Sequence, residues 1–373
     1  MRIAIVVPHI FMNQEILPDV IFSPAYLAID LAEGLQSIGN EVTLFSPGKV
    51  RTSVRNETAD LSLFEEELRS RGDSYIDLLK KHPTIFMTLG RQVQSELVNK
   101  AFKMANEDRF DIVHIYTNEE ELGLVFADLC NKPVIFTHHE PFNFLVKYRS
   151  LMPKYKDRNW ISISMSQRKT MPEGANFVAN IYHGLPKEKF APNYNPQGNY
   201  FAYFGRIIEP KGVHLAIQAA KLANVELRIA GKHYTGFSKD KYWTEVIEPN
   251  LDGIQIKYVG FLKTDEEKQE FLGNAKALIV PSTWEEPFGM VMIESLACAT
   301  PIIGIKSGAI PDVVDEGKTG LLVDNDSNAS NKLAKAIKQI DQIDRLSCRK
   351  TFEERFLVER MCMEHEDTYL TLI

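Results

Sequence analysis

The sequence predicts an α/β protein built from two doubly wound, parallel sheets, and three observations carry that prediction. Short runs rich in Val, Ile and Phe alternate with longer amphipathic segments along the whole chain, the pattern of strand-helix-strand units. The alternation breaks once, where Pro186, Pro192, Asn193, Asn195, Pro196 and Gly198 crowd into LPKEKFAPNYNPQGN, which reads as a linker. It then restarts, so two halves are expected, with a cleft between them. In such sheets ligands bind at the carboxyl ends of the strands, where loops lead into helices.

In the first half the strand candidates are RIAIVVP (2–8), EVTLFS (41–46), DIVHIYT (111–117), PVIFTH (133–138), WISISMS (160–166) and FVANIYH (177–183). YLAIDLAEGLQSIG (26–39) reads as a helix stopped by glycine, with Ser23 as cap and Pro24 in the first turn. Residues 50–108 read as mostly helical and charged, without an evident chemical role. In the second half the candidates are NYFAYFG (199–205), VELRIAG (225–231), IQIKYVG (254–260), ALIVPS (277–282), PIIGIKS (301–307) and TGLLVD (319–324). The domain boundaries drawn from this are 1–185 and 199–350.

The 373 residues, 44% hydrophobic and 25% charged, suit an ordinary globular protein of two domains. A formal net charge of -7 gives no overall basic field, so nucleic acid is not an expected partner. Cys130, Cys298, Cys348 and Cys362 are too scattered for a Cys-x-x-Cys site and read as reduced thiols. The opening MRIAIVVP reads as a strand rather than a signal peptide, and no run is long and apolar enough to span a bilayer. A cytoplasmic location is therefore expected, and the sequons at Asn56 and Asn328 carry little weight. Lys147, Arg149, Lys154, Lys156 and Arg158 cluster around Tyr148, Tyr155 and Trp160. That cluster is either a solvated face or a peripheral contact to a membrane surface or an anionic acceptor.

Chemistry is expected at the strand-helix junctions. Phe204-Gly205-Arg206-Ile-Ile-Glu-Pro-Lys211-Gly212 combines a strand end, two cations and two glycines before the helix VHLAIQAAKLA. Glycine admits a ligand to the backbone, Arg grips phosphate through two parallel bonds and Lys adds a point charge. The stretch is either a diphosphate cradle or an ordinary basic loop. It is neither a Walker loop nor a Gly-x-Gly-x-x-Gly. A second junction runs from ALIVPS through TWEEP into FGMVMIESLACA, a helix with one charged residue, Glu294. Free amides of Phe288, Gly289 and Met290 at the helix start suit an anion or sugar hydroxyls. Glu286 sits in the loop, and Glu294 about 12 Å further along accepts from a vicinal diol or pairs with a buried cation.

A third junction is Gly308-Ala-Ile-Pro-Asp312. In the first half PVIFTH runs into His138-His139-Glu140, where a histidine either contacts phosphate or hydroxyl, moves a proton, or serves structure. No zinc site is expected there, because adjacent strand histidines point to opposite faces. Asp324-Asn-Asp326 has a metal-binding form but follows a strand and precedes a helix cap, so it reads as turn chemistry. No Gly-x-Ser-x-Gly elbow supports a serine hydrolase.

With these residues in view, the chain resembles family four of the retaining glycosyltransferases. The likeness rests on Gly205-Arg206 with Lys211-Gly212, Glu286-Pro-Phe-Gly-x-x-x-x-Glu294, Gly308-x-x-Pro-Asp312 and Gly317-x-Thr-Gly320-Leu-Leu-Val, in order and spacing over about 199–324. The first half resembles the family more loosely, through MRIAIVVP, EVTLFSPG, DIVHIY and PVIFTHH. The resemblance implies the GT-B fold, two Rossmann-like domains with a C-terminal helix, here about 358–373, returning to the first. It implies that Arg206 and Lys211 hold the diphosphate of a nucleotide sugar, most often a UDP-sugar, so that neither metal nor cofactor is required. Glu294 would bind the ribose diol, Glu286 the donor sugar beside Gly205 and the amides of Phe288 to Met290, and His139 the sugar or phosphate near the reacting carbon. Retention without a nucleophile implies attack by the acceptor hydroxyl from the leaving-group side.

Many members carry paired glycines between the first strand and helix; here Ser23-Pro24-Ala25 holds that turn and no glycine precedes Gly34. The loop from His9 to Phe22 is the candidate to take over. The acceptor is then a lipid-linked sugar, a glycan or a small metabolite. Two alternatives stand beside the transferase: an epimerase-like sugar-nucleotide enzyme, and a catalytically silent sugar-nucleotide-binding subunit.

Overall fold

A computed structural model describes residues 1–12, 22–116, 118–233 and 240–373. The chain divides into two compact units, one of Met1–Ile163, Arg168–Ile181 and Val358–Ile373, the other of Ser164–Gln167 and Tyr182–Leu357. Among the described residues the first unit holds β1 (Arg2–Val6), β2 (Glu41–Ser46), β3 (Arg55–Thr58), β4 (Ile112–Tyr116), β5 (Val134–Thr137), β6 (Asn159–Ser162) and β7 (Phe177–Asn180). They form one parallel sheet in the order β3-β2-β1-β4-β5-β6-β7. Ile3 lies between Val42 and Ile112, and residues 3–6 of β1 are wholly buried, as are Ile112, Val113 and Ile115 of β4. Central parallel strands are covered on both faces, which is why these stretches are continuously apolar.

The segment 50–108 holds one strand besides its helices Ser62–Arg71, Tyr75–Lys81 and Pro83–Asn106. That strand, β3, reads RNET and has no apolar face; it sits at the sheet edge, where Asn56 Nδ2 donates to the Leu44 carbonyl (2.9 Å) and to Ser46 Oγ (2.8 Å). The first helix spans Ser23–Ser37, and Ser23 is its first residue rather than its cap: Phe22 occupies the cap position without a side-chain bond, and Pro24 lies in the first turn as expected. This helix packs on the C-terminal helix Val358–Leu370 through Gly34, where a Cβ would come within 2.4 Å of Cys362 Sγ. The C-terminal helix thus belongs to the first unit.

Among the described residues the second unit holds β8 (Tyr200–Phe204), β9 (Glu226–Ala230), β10 (Ile256–Gly260), β11 (Leu278–Val280), β12 (Ile302–Ile305) and β13 (Gly320–Val323). Their parallel order is β10-β9-β8-β11-β12-β13. The stretch 186–198, a linker by its composition, lies in this unit. Its backbone is satisfied there: Asn193 N–H donates to the Cys298 carbonyl (3.0 Å), Arg345 Nε to the Asn193 carbonyl (2.7 Å) and Arg349 Nη1 to the Phe190 carbonyl (2.8 Å). No described helix is long and apolar enough to cross a membrane.

Candidate active site

The strand order of each sheet reverses beside its first strand, between β1 and β4 in the first unit and between β8 and β11 in the second. The loops leaving the carboxyl ends of such a pair diverge and leave room for a ligand. In the second unit those two loops carry Gly205, Arg206, Lys211, Glu286, Phe288 and Gly289, and the helix after the second carries Met290 and Glu294.

Past β8 comes Gly205, and then an exposed Arg206 whose carbonyl accepts from Tyr203 OH at 2.8 Å. A single 3-10 turn, Glu209–Lys211, delivers the chain to Gly212, which caps the helix Val213–Ala223. Gly212 has φ 71°, and a Cβ there would lie 2.0 Å from the Pro281 carbonyl oxygen. Only glycine lets the β8 loop lie this flat against the end of β11. Thr283 N–H donates to the Pro210 carbonyl at 3.0 Å and fastens the two loops together.

The result is a contact that the sequence does not show. Lys211 Nζ forms an ion pair with Glu286 Oε2, and both side chains are largely buried. Glu286 is fixed from the other side by the loop after β12. Ala309 N–H donates to the Glu286 carbonyl (2.7 Å) and Ser307 Oγ to the Trp284 carbonyl (2.7 Å). Gly308, at φ 52°, passes so close that a Cβ would meet Glu286 N at 2.1 Å and O at 2.4 Å.

Gly289 (φ 90°) caps the helix Met290–Ala297, so free amides do open the helix. Phe288 differs in its side chain, which is 2% exposed and packs edge-on against His183 at 4.9 Å; only its backbone is left for a ligand. Glu294 lies on this helix with 13% of its side chain exposed, and burial pushes its carboxyl above the usual range. Lys268 Nζ stands 3.9 Å from Glu294 Oε1 and opposes that shift, as does Lys189. Lys268 is closer to Asp265 (2.9 Å), which Lys189 also approaches (3.4 Å). Glu294 therefore has a cation nearby but no tight partner in it.

Lys268, Asp265, Lys189 and Ser307 escape sequence reasoning. One signal was present, the Thr264-x-x-Glu267 capping box that starts the helix Asp265–Gly273 and puts Lys268 in its first turns. Nothing in the sequence ties that helix to Glu294.

His139 belongs to the first unit, just past β5. Its backbone N–H donates to Asn118 Oδ1 (2.7 Å), and its ring packs edge-on against Tyr116 at 4.5 Å. Its neighbour His138 is fully buried with Nδ1 2.9 Å from Glu120 Oε1. Asp324 and Asp326 hold Lys332 Nζ at 3.0 and 2.6 Å, and among the described residues no group of three or more His, Cys, Asp or Glu is placed to hold a metal ion. Most of the loop from His9 to Phe22, the candidate substitute for the glycine pair, lies outside the described residues.

The family of glycosyl transferases group 1 matches residues 186–352, which include Arg206, Lys211, Glu286 and Glu294. These residues belong to the glycosyl transferases group 1 family. The group 1 domain coincides with most of the second unit, and His139 lies outside it. Phosphatidyl-myo-inositol mannosyltransferase of Propionibacterium freudenreichii subsp. shermanii is 24% identical over 369 residues, covering 89% of this chain and 85% of that protein. Other curated relatives match over shorter stretches, the chain spanning 39% and 33% of the length of two of them. Sucrose-phosphate synthase from Thermosynechococcus elongatus superposes with a TM-score of 0.75 at 18% identity, over 100% of this chain and 99% of that one. Anabaena HepE in complex with UDP and glucose gives 0.68 at 18% identity, over 100% of both chains. The fold of the chain is GT-B, two α/β units each with a parallel sheet.

Proposed function

We propose that the protein is a retaining, metal-independent glycosyltransferase that moves a hexose from a nucleoside diphosphate donor, a UDP-sugar, to an acceptor hydroxyl. The observation that carries this reading is the Lys211–Glu286 pair at the β8/β11 reversal, with Arg206 exposed on the same loop as Lys211. A diphosphate takes the ammonium of Lys211 and the guanidinium of Arg206, which balance its charge as the sugar bond breaks. Glu286, released from Lys211, then accepts from hydroxyls of the donor sugar. Glu294 accepts from the ribose diol, and the amides at Gly289 and Met290 face the donor. The acceptor oxygen bonds to the anomeric carbon on the side from which the phosphate departs, and its proton goes to that phosphate. His139 contacts the sugar or its phosphate, the role that the family resemblance assigns it. The match of residues 186–352 to the group 1 family and the UDP complex of a protein with the same fold support the donor class.

An epimerase-like enzyme would use the same donor cradle without an acceptor, and a silent subunit would bind the donor without cleaving it. Incubation with UDP-, GDP-, ADP- and dTDP-sugars in chelator separates these readings when melting temperature and nucleoside diphosphate release are followed together. A melting shift with UDP-sugars and slow chelator-resistant release of UDP is expected. No shift with any donor, or release that stops on chelation, overturns the proposal.

A further inference from the structure

The helix Val213–Ala223 begins with a cap that its own cap residue does not supply. The first amides of a helix have no partner inside it, and a side chain at the cap position commonly accepts from one of them. Here that position is Gly212, at φ 71° and with no side chain to offer. The acceptor is Tyr242, 28 residues beyond His214: the His214 N–H donates to its phenol oxygen at 3.2 Å, and the Val213 N–H bonds the same oxygen. Two amides fill both lone pairs, so the phenol's own hydrogen is left to donate to His214 Nδ1, 2.8 Å away. Burial pushes the phenol up to about 12, which keeps it protonated, and lowers His214, which favours the neutral ring that accepts at Nδ1.

Tyr242 is itself anchored. It opens Tyr242–Ile247, wound as a π-helix, a rare form that recurs at functional sites. Its neighbour Trp243 is buried, stacks on His233 at 4.1 Å, meets Tyr258 edge-on at 4.8 Å and gives its N–H to Asp240 Oδ1 at 3.1 Å. On the other side of the capped amides, two residues, Lys211 and Gly212, lead back to Pro210. The Pro210 carbonyl accepts from Thr283 N–H at 3.0 Å, just past β11. Lys211 therefore stands on a short bridge tethered at both ends. Its ammonium is paired with Glu286 and must leave that partner to meet a diphosphate. A swing of the side chain delivers it to one place only when the backbone beneath it stays still.

We propose that Tyr242 is a positioning residue of the donor site: its hydroxyl holds the start of the Val213–Ala223 helix and thereby keeps Lys211 placed to balance the charge that develops on the diphosphate. The inference rests on the transferase reading above. Because that charge is greatest as the sugar bond breaks, the hydroxyl acts on kcat more than on donor affinity.

The test is a double-mutant cycle of Tyr242→Phe and Lys211→Ala, read as UDP release from a UDP-sugar in chelator, with melting temperature followed alongside. Tyr242→Phe removes one hydroxyl and keeps the ring. It is expected to lower kcat by about tenfold with donor KM within about twofold of the parent, misplacement by about 1 Å costing up to about 10²-fold. In the Lys211→Ala background the same change is expected to do nothing further, since Tyr242 acts through that lysine. A residue of purely structural use would reduce turnover equally in both backgrounds. Equal losses, or a Tyr242→Phe that turns over like the parent while Lys211→Ala is impaired, overturn the proposal and leave the transferase reading standing. A parent that releases no UDP, or a Lys211→Ala that matches it, ends the transferase reading and this inference together. If Tyr242→Phe melts below the assay temperature, His214→Leu, which removes the acceptor of the phenol's proton, takes its place in the cycle with the same outcomes.

Discussion

Glu294 is a carboxylate mostly removed from water, and the nearer of the two lysines that act on it, Lys268, stands too far off for a hydrogen bond and is shared with Asp265. The nearby charges are Lys268, Lys189 and Asp265, with the Cys298 thiol pushed up to about 12. Burial favours the protonated carboxyl, and the two lysines favour the carboxylate. Removing a lysine therefore raises the carboxyl further, and a protonated Glu294 is the poorer acceptor for a diol. Lys268→Met is expected to raise the donor KM, and more steeply than in the parent as pH falls. Parallel pH profiles would remove Lys268 from any part in setting Glu294. Glu294→Ala is expected to raise donor KM by tenfold or more, the loss of a charged hydrogen bond costing about 1.5 to 3 kcal/mol. Arg206→Ala and Lys211→Ala should instead lower kcat/KM by about 10²-fold or more with folding intact, as for loss of a donor to developing charge. Unchanged turnover in Arg206→Ala would end the diphosphate assignment. At this scale the sequence made Glu294 conspicuous, a lone charge in an apolar helix, but could not name Lys268, because their proximity depends on how two helices pack.

Loops bring Lys211 and Glu286 together, and glycine decides how closely those loops approach. Gly308 and Gly317 both have positive φ, 52° and 75°, so alanine strains the backbone at either one. They differ in surroundings: a Cβ at Gly317 meets nothing within 4 Å, whereas at Gly308 it strikes the backbone of Glu286. Gly317→Ala is expected to cost about 1 to 2 kcal/mol of stability and to leave the donor-induced melting shift unchanged. Gly308→Ala is expected to lose that shift as well, because Glu286 must move. Similar donor shifts in the two variants would show that the β12 loop does not set Glu286. The elements themselves were largely legible. Twelve of the thirteen described strands coincide with the apolar and aromatic runs of the sequence, and the central ones are apolar along their length because both faces are covered. β3 did not, because a polar edge strand such as RNET leaves no hydrophobic trace and its Asn56 bonds were invisible beforehand. Proline and asparagine in 186–198 signalled irregular backbone correctly, yet said nothing of the arginines that secure it to the second unit.

For the molecule as a whole, the C-terminal helix matters beyond its size. It buries His365, whose Nδ1 lies 2.8 Å from the Met361 carbonyl, beside His114, which bonds Tyr369 OH (2.7 Å) and Thr137 Oγ1 (2.8 Å). Burial lowers His365 to about 4 and His114 well below the usual histidine range. Because the folded values lie below the unfolded ones, the unfolded chain takes up protons that the folded chain refuses as pH falls below about 6.5. Stability contributed by the neutral form is full above that pH and drains away down to about 4, amounting to about 3 kcal/mol for His365 alone. Melting temperature measured across this range is expected to fall in the parent and to fall less in His365→Gln; equal slopes would exonerate His365.

The path of the chain through the two units has a further consequence for biogenesis. Val358–Ile373 completes a unit whose sheet is made of residues 2–180, and the whole group 1 domain lies between them. On the ribosome, the strands of the first unit emerge early but wait for a helix translated after Tyr182–Leu357 is complete. The unit that starts first in sequence thus finishes folding after the other. Until then, the faces of the Ser23–Ser37 helix and β4 that Cys362 and His365 cover stay open to chaperones and to aggregation.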